Sequence, residues 1–213
     1  MGAQTGEQVL RATKAFPIVI SGPSGAGKTT IVEAVLEKDP AIKASVSATT
    51  RPPRDGETDG EAYSFVSADE FDALKQGKLI EWAVVHGYGY GTPREFVESQ
   101  LGDGLDVVLN IDVQGGASVK KAFPEAVLIF ILTPSAEELE RRIRGRGSDL
   151  TTEIEKRLDN AWGEIKRATN YDYIVINDEL EETVDAVLSI IRSERHRHER
   201  YPVNFLERFK PGS

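Results

Sequence analysis

FPIVISGPSGAGKTTIVEAVL, at residues 16–36, is the stretch that decides the fold of this chain. It joins a short apolar run, typical of a buried parallel strand, to a glycine-rich turn and then to a pattern that predicts a helix. Gly22, Gly27, Lys28 and Thr29 have the spacing G-x-x-x-x-G-K-S/T of a phosphate loop. In such a loop, backbone N–H groups surround a nucleotide's phosphates, the lysine reaches the β- and γ-phosphates, and the hydroxyl binds Mg²⁺. A glycine-rich turn that matches by chance is the alternative, and the flanking strand and helix argue against it.

Composition excludes several classes of site. The chain has 213 residues, no cysteine and three histidines, so disulfides and thiolate metal sites are excluded and a zinc site is disfavoured. A net charge of −9 argues against broad nucleic-acid binding. Apolar runs are shorter than the roughly 20 residues that span a bilayer, and residues 1–15 lack the apolar region of a signal peptide. We therefore expect a cytoplasmic protein with no nucleic-acid or membrane partner.

The rest of the chain alternates predicted strands and helices. Strands are predicted at residues 44–50, 79–86, 105–112, 126–133 and 173–177, and a loop at residues 87–91. Ser67, Thr92, Ser135 and Thr152 are each followed three residues later by glutamate, which predicts four helix starts. Two further helices are predicted at residues 115–123 and 181–198. This alternation favours a parallel sheet covered by helices on both faces, with insertions at residues 46–100 and 137–160.

The motifs together resemble the guanylate kinase family over nearly the whole chain. The resemblance rests on GPSGAGKTT at residues 22–30, SVSATTRPPRDGE at 45–57, YSF at 63–65 and LIEWA at 79–83. It continues with GYGYGT at 87–92, IDVQGG at 111–116, RRIRGRG at 141–147, EKRL at 155–158 and YIVIND at 173–178. A phosphate loop alone occurs in a very large superfamily, whereas TTRPPRDGE followed by YGT is far more specific.

The resemblance implies a P-loop three-layer α/β/α fold that transfers the γ-phosphate of ATP to GMP with Mg²⁺. It implies one domain at residues 16–204, with tails at 1–15 and 205–213. The core would comprise residues 16–45, 101–136 and 161–204, with a GMP-binding subdomain at 46–100 and a helical lid at 137–160. The partners would be ATP and GMP, and the protein a monomer or a homodimer.

The GMP site implied by the resemblance is also reasonable chemically. Arginine binds two phosphate oxygens at once, and guanine offers N1–H and a 2-amino group as donors and O6 as an acceptor. The resemblance assigns Arg51 and Arg54 to the GMP phosphate, assisted by the hydroxyls of Ser47, Tyr63 and Tyr90. It assigns Glu81 and Asp112 to the guanine donors and Thr92 to O6. A solvated basic turn and an edge-strand surface charge are the alternatives for the two arginines and for Glu81.

Phosphoryl transfer needs positive charge around the transferred group. By resemblance, Lys28 and the lid arginines Arg142, Arg146 and Arg157 are the catalytic residues, and solvated helix charges are the alternative for the arginines. The ATP-binding residues would be Gly22, Pro23, Ser24, Gly25, Ala26, Gly27, Lys28, Thr29, Thr30 and Asn177, with Thr29 also binding the metal.

The sequence departs from the family pattern at one position in this site. Where the family usually has Asp-x-Asp, this chain has Asn110, Ile111 and Asp112. Asparagine keeps an acceptor oxygen but lacks the charge, so we expect weaker metal binding or a lower rate. Two other functions remain open: a related kinase of another phosphorylated acceptor, such as a ribose bisphosphate, and a non-catalytic guanylate-kinase-like interaction module.

Overall fold

A computed structural model describes residues 13–54, 56–61, 63–85, 87–145 and 151–211, and for residues 151–153 only the backbone. Its core is a sheet of five parallel strands, β1 (Pro17–Ser21), β2 (Ile42–Ala44), β7 (Asp106–Asn110), β8 (Val127–Leu132) and β9 (Tyr173–Ile176). Their order across the sheet is β2-β7-β1-β8-β9.

Helices cover both faces of the core sheet. The helices of the described residues are α1 (Lys28–Lys38), α2 (Ala68–Leu74), α3 (Arg94–Gly102), α4 (Val113–Ala122), α5 (Ala136–Arg144), α6 (Thr151–Ile165) and α7 (Leu180–Arg195). Helix α2 lies apart from the core sheet, since its Phe71 packs with Ala48 and Leu79. Side chains alternate between the faces of β1, since Ile18 and Ile20 share a buried cluster with α1 and α7 whereas Val19 packs with α3 and α4. The three-layer α/β/α fold predicted from the sequence is therefore confirmed.

A second sheet lies within residues 46–100. It contains β3 (Ala48–Thr49), β4 (Ser64–Phe65), β5 (Leu79–Val85) and β6 (Tyr88–Pro93), in the order β4-β3-β6-β5. Strands β5 and β6 pair antiparallel, as do β3 and β6. This sheet occupies the predicted insertion, while the division of the chain into core, GMP-binding subdomain and lid stays a prediction.

The prediction of a loop at residues 87–91 is wrong, because residues 88–91 belong to β6. Gly87 lies in the turn before β6 with a φ of 84°, whereas Gly89 and Gly91 allow close packing within the strand. A Cβ atom on Gly89 would lie 2.5 Å from the Phe71 ring, and one on Gly91 would lie 2.7 Å from Leu79 Cδ1. Glycine is required where neighbouring side chains approach the strand this closely.

Two of the four predicted helix starts are also wrong. Ser67 and Ser135 cap α2 and α5 as expected. Helix α3, however, begins after Pro93 without a side-chain cap, because the Thr92 hydroxyl donates a hydrogen bond to Glu81 instead. Helix α6 already includes Thr151, so Thr152 does not precede it.

The helix predicted at residues 115–123 begins two residues earlier, at Val113. Asp112 caps it by accepting hydrogen bonds from the backbone N–H groups of Gln114 and Gly115. The last predicted helix ends at Arg195, before residue 198. In the described part of the chain, no helix is both long enough and apolar enough to cross a membrane.

Candidate active site

The phosphate loop connects β1 to the first turn of α1. Gly25 and Gly27 have φ angles of 90° and 89°, which glycine adopts far more readily than other residues. At Gly22 a Cβ atom would collide with the carbonyl oxygen of Ile131 on the neighbouring strand β8. Because α1 begins at Lys28, its free backbone N–H groups and partial positive charge face the loop. The loop therefore has the geometry of an anion site.

Two side chains hold the loop in place. Lys28 Nζ donates hydrogen bonds to the carbonyl oxygens of Gly22 at 2.6 Å and Pro23 at 3.1 Å. The Asn177 side chain is buried against the loop and donates to the Ala26 carbonyl at 2.7 Å, while its Oδ1 accepts from Thr183 at 3.1 Å. The side chain of Asn177 therefore supports the loop from the core, and its predicted role in ATP binding stays a prediction.

A cavity of about 340 Å³ opens above the loop. Thr29 and Asn110 lie close together in it, with 3.4 Å between the Thr29 hydroxyl and Asn110 Nδ2. The lining also contains Asp112 and Glu164, the latter from α6. The full lining is Gly22, Ser24, Gly25, Gly27, Lys28, Thr29, Thr30, Asn110, Ile111, Asp112 and Glu164.

The protein oxygen atoms in this cavity are suitable for Mg²⁺ only together with a bound nucleotide. Among the described residues, no group of three His, Cys, Asp or Glu side chains could hold a metal ion. Mg²⁺ commonly binds through one or two protein oxygens plus substrate phosphates and waters. The Thr29 hydroxyl is suited to that arrangement, in which substrate phosphates and waters would supply the remaining ligands.

Glu81 is directed into the site by a β-bulge. Leu79 pairs with Pro93 and Trp82 with Gly91, so two residues of β5 lie opposite the single residue Thr92. The Thr92 hydroxyl donates to Glu81 Oε1 at 2.6 Å. Bulges redirect side chains at functional sites, and this one places the carboxylate beside the hydroxyl.

Asp112 reaches the same place from the core sheet. Glu81 Oε2 would lie 3.3 Å from a Cβ atom on Gly115, in the first turn of α4 that Asp112 caps. Burial raises the pKa of Glu81, and the nearby negative charge of Asp112 raises it further, against the hydrogen bond from Thr92. Two carboxylates, one on β5 and one just after β7, therefore lie near each other where α4 begins.

This raised pKa predicts a pH-dependent stability. A carboxyl whose pKa is higher in the folded protein favours folding most below its unfolded-state pKa of about 4.3, and this contribution is lost as the pH rises through the folded pKa. We therefore expect nucleotide-free Glu81→Gln protein to melt at a higher temperature than the wild type at pH 7, with the difference shrinking towards pH 4.5. Thermal melts across this range test it. The exposed Glu125, in the loop before β8, provides a matched Glu→Gln control that should melt like the wild type.

Arg51 is the centre of a second polar cluster. It is 8% exposed, and its Nη2 donates to both carboxylate oxygens of Glu57 at 2.8 and 2.9 Å. Its guanidinium lies 5.4 Å from the centre of the Tyr63 ring, and the Tyr63 and Tyr90 rings are 5.8 Å apart. The hydrogen bonds from Arg51 and from the Arg54 backbone hold the pKa of Glu57 below its usual range. The structure thus brings Arg51, Tyr63 and Tyr90 together.

The other two residues predicted to bind the GMP phosphate lie next to this cluster. Arg54 has an exposed side chain, and its backbone N–H donates to Glu57 at 2.8 Å. Ser47 precedes β3, and its carbonyl accepts from the Ser64 N–H at 2.9 Å.

The predicted lid arginines have different positions. Arg142 on α5 donates to Glu138 at 2.6 Å and to the Asn177 carbonyl at 3.3 Å, close to the phosphate loop. Arg141 and Arg142 together lower the pKa of Glu138 to about 2. Arg157 lies on α6, and Arg146 lies outside the described residues.

Comparison with known proteins identifies the family. The sequence model described as guanylate kinase matches residues 14–194. The chain belongs to the guanylate kinase family.

Individual relatives agree with this assignment. A guanylate kinase of Caldanaerobacter subterraneus subsp. tengcongensis is 50% identical over 184 residues, covering 86% of this chain and 89% of the relative. One from Thermotoga maritima is 47% identical, covering 90% and 93%. The crystal structure of guanylate kinase from Anaplasma phagocytophilum superposes with a TM-score of 0.73 at 34% identity, covering 93% of this chain and 96% of that one.

Sequence reasoning missed two acidic residues in this guanylate kinase family member. Glu57 pairs with Arg51, and its position in the stretch TTRPPRDGE was the only available signal. Glu164 lines the phosphate-loop cavity from α6, and no motif marks it. It lies seven residues after Arg157, so the two residues share one face of the helix about 10 Å apart along its axis.

Proposed function

We propose that this chain transfers the γ-phosphate of ATP to GMP, producing ADP and GDP, in a site formed between the core and the second sheet. The observation that carries the proposal is the position of Asp112. It lines the phosphate-loop cavity and also adjoins Glu81 at the start of α4. Two ligands bound on either side of Asp112 would therefore be neighbours.

The carboxylates and the hydroxyl suit guanine. Glu81 and Asp112 would accept hydrogen bonds from N1–H and the 2-amino group, and the Thr92 hydroxyl would donate to O6. Adenine lacks both donors, so the partly buried Glu81 would lose its base partner and Asp112 would keep only its bonds to α4, a mismatch that a polar site rejects strongly. Thr92 now donates to Glu81, so binding of guanine would require this hydroxyl to rotate.

The Arg51 cluster suits the phosphate of GMP. Arg51 and Arg54 would bind its oxygens, with hydroxyls from Ser47, Tyr63 and Tyr90. Packing against Tyr63 and the pair with Glu57 already fix Arg51, so little side-chain freedom is lost on binding. Glu57 also links the two arginines, because its carboxylate accepts from both the Arg51 side chain and the Arg54 backbone N–H.

The phosphate loop and the lid would carry out the transfer. Lys28 would exchange its two loop carbonyls for β- and γ-phosphate oxygens, while loop N–H groups bind the same phosphates. Arg142, Arg146 and Arg157 would stabilise the charge on the transferred group, with Arg142 leaving Glu138 as the lid closes. Mg²⁺ bound at Thr29 would neutralise phosphate charge. The remaining contacts with ATP would come from Gly22, Pro23, Ser24, Gly25, Ala26, Gly27, Thr30 and Asn177.

The two alternative functions have less support. An interaction module needs no phosphate-loop lysine, yet Lys28 and Thr29 are present and correctly placed in the loop. A kinase of a ribose bisphosphate would not need the Glu81–Thr92 pair beside Asp112. Cytoplasmic location and the choice between monomer and homodimer stay predictions.

A coupled assay for ADP tests the function directly. The protein is given Mg²⁺-ATP with GMP, AMP, CMP, UMP or no acceptor. We expect ADP to form far faster with GMP than with any other acceptor. Equal rates with several acceptors would contradict the guanine site, and folded protein that binds ATP but reacts with none would contradict the proposed reaction.

A further inference from the structure

The phosphate-loop cavity, which would hold the phosphate donor ATP and is called the donor cavity below, has an unexpected charge for a site that binds a polyphosphate. Its ionisable lining side chains are one cation, Lys28, and two anions, Asp112 and Glu164. Asn110, beside Thr29, is neutral. Loop N–H groups and the N-terminus of α1 add partial positive charge. Even so, the lining side chains have a net negative charge, which disfavours a ligand that carries three or four negative charges of its own.

Of the two carboxylates, Glu164 is the one to which no structural or binding role has been assigned. Asp112 caps α4 and adjoins Glu81, so its carboxylate is already used. In the part of the chain that the structure describes, no side chain donates a hydrogen bond to the carboxylate of Glu164. Its partial burial raises its pKa, Lys28 and Arg167 lower it, and Asp112 raises it again. Glu164 is thus a poorly solvated carboxylate among these charges.

We propose that Glu164 determines the charge specificity of the donor site, repelling metal-free nucleotide and thereby selecting the Mg²⁺ complex. The proposal rests on the assignment of this cavity to the donor nucleotide. Coulomb repulsion scales with ligand charge, and metal-free ADP carries about three negative charges whereas its Mg²⁺ complex carries about one. The same carboxylate therefore opposes the free nucleotide about three times as strongly, in free energy, as the complex.

The position of Glu164 on α6 allows its charge to be removed with little change in shape. The substitution Glu164→Gln keeps the side-chain size, whereas Glu164→Asp keeps the charge. Asp159 is exposed on the same helix, so Asp159→Asn removes an equal charge from α6 outside the cavity lining. These variants separate an effect of charge in the cavity from an effect of helix structure.

The test is ADP binding by calorimetry at pH 8, either with excess Mg²⁺ or with a chelator. We expect Glu164→Gln to tighten binding of metal-free ADP about tenfold and of Mg²⁺-ADP about twofold, so the preference for the complex falls about fivefold. Glu164→Asp should keep most of the wild-type preference, and Asp159→Asn should keep all of it.

Two results would overturn the proposal. An unchanged ratio of the two affinities in Glu164→Gln would show that the carboxylate does not discriminate by charge. Selective weakening of Mg²⁺-ADP would instead make Glu164 a ligand of the cation. Either result leaves the proposed function intact if the wild type phosphorylates GMP, whereas wild-type protein that binds no ADP would refute the donor site itself.

Discussion

Replacement of Lys28 by methionine should lower kcat for phosphoryl transfer to GMP by about 10³-fold. Methionine keeps most of the length of the side chain but removes the ammonium group that would follow the β- and γ-phosphates through the transition state. Lys28 is also the only lysine or arginine in the cavity lining described by the structure. No other cation in the described cavity lining can therefore compensate for the loss of its charge.

Stopped-flow or coupled assays at saturating ATP and GMP measure this loss. Lys43→Met is the matched control, since Lys43 is exposed on β2 and remote from the cavity lining. It should retain wild-type kcat. Loss of the two hydrogen bonds to Gly22 and Pro23 could disturb the loop, so thermal melts should accompany the kinetics. A folded Lys28→Met protein with kcat within tenfold of the wild type would contradict the assigned role.

Replacement of Glu81 by glutamine should lower kcat/KM for GMP by about 10³-fold and leave the much lower value for AMP nearly unchanged. The amide would either place its NH₂ group against the N–H donors of guanine, which is repulsive, or accept with one neutral oxygen, which bonds more weakly than a carboxylate. Asp112 would remain as the second guanine carboxylate. The preference for GMP over AMP should therefore fall because kcat/KM for GMP falls, while kcat/KM for AMP stays nearly the same.

Two comparisons make the result specific. The KM for ATP should stay within about twofold of the wild type, because Glu81 is absent from the lining of the donor cavity. Glu125→Gln should change neither parameter. Equal increases in KM for ATP and GMP would refute a base-reading role. Unfolding is not expected to explain the loss, since removal of this partly buried charge should stabilise the free protein at pH 7.

Predictions from local sequence succeeded where a residue's task depends on its immediate neighbours. The phosphate loop was correctly placed because Gly22, Gly27 and Lys28 act through the backbone of one short segment. Ser67 and Ser135 were correctly identified as caps for the same reason. The predictions at Thr92 and at residues 87–91 failed because a distant partner changed the outcome. Glu81 takes the threonine hydroxyl, and Phe71 and Leu79 pack onto the glycines of β6.

The site residues divide in the same way. Motifs pointed to Arg51, Glu81 and Asp112, whereas Glu57 and Glu164 became apparent only from their contacts and their place in the cavity. Glu164 follows no spacing rule relative to the phosphate loop, because more than a hundred residues of chain separate it from Lys28. Proximity of this kind is created by packing of α6 against the core.

The sequence by itself determined the three-layer class, the phosphate loop and the guanylate kinase family, because each is encoded by periodicity or by contiguous motifs. The tertiary structure alone decided how these parts form one site. A bulge in β5 turns Glu81 towards Thr92, Asp112 lies near Glu81 as the cap of α4, and α6 carries Glu164 into the phosphate-loop cavity. Register shifts and contacts between distant elements depend on the free energy of the whole packed chain, so no local pattern specifies them.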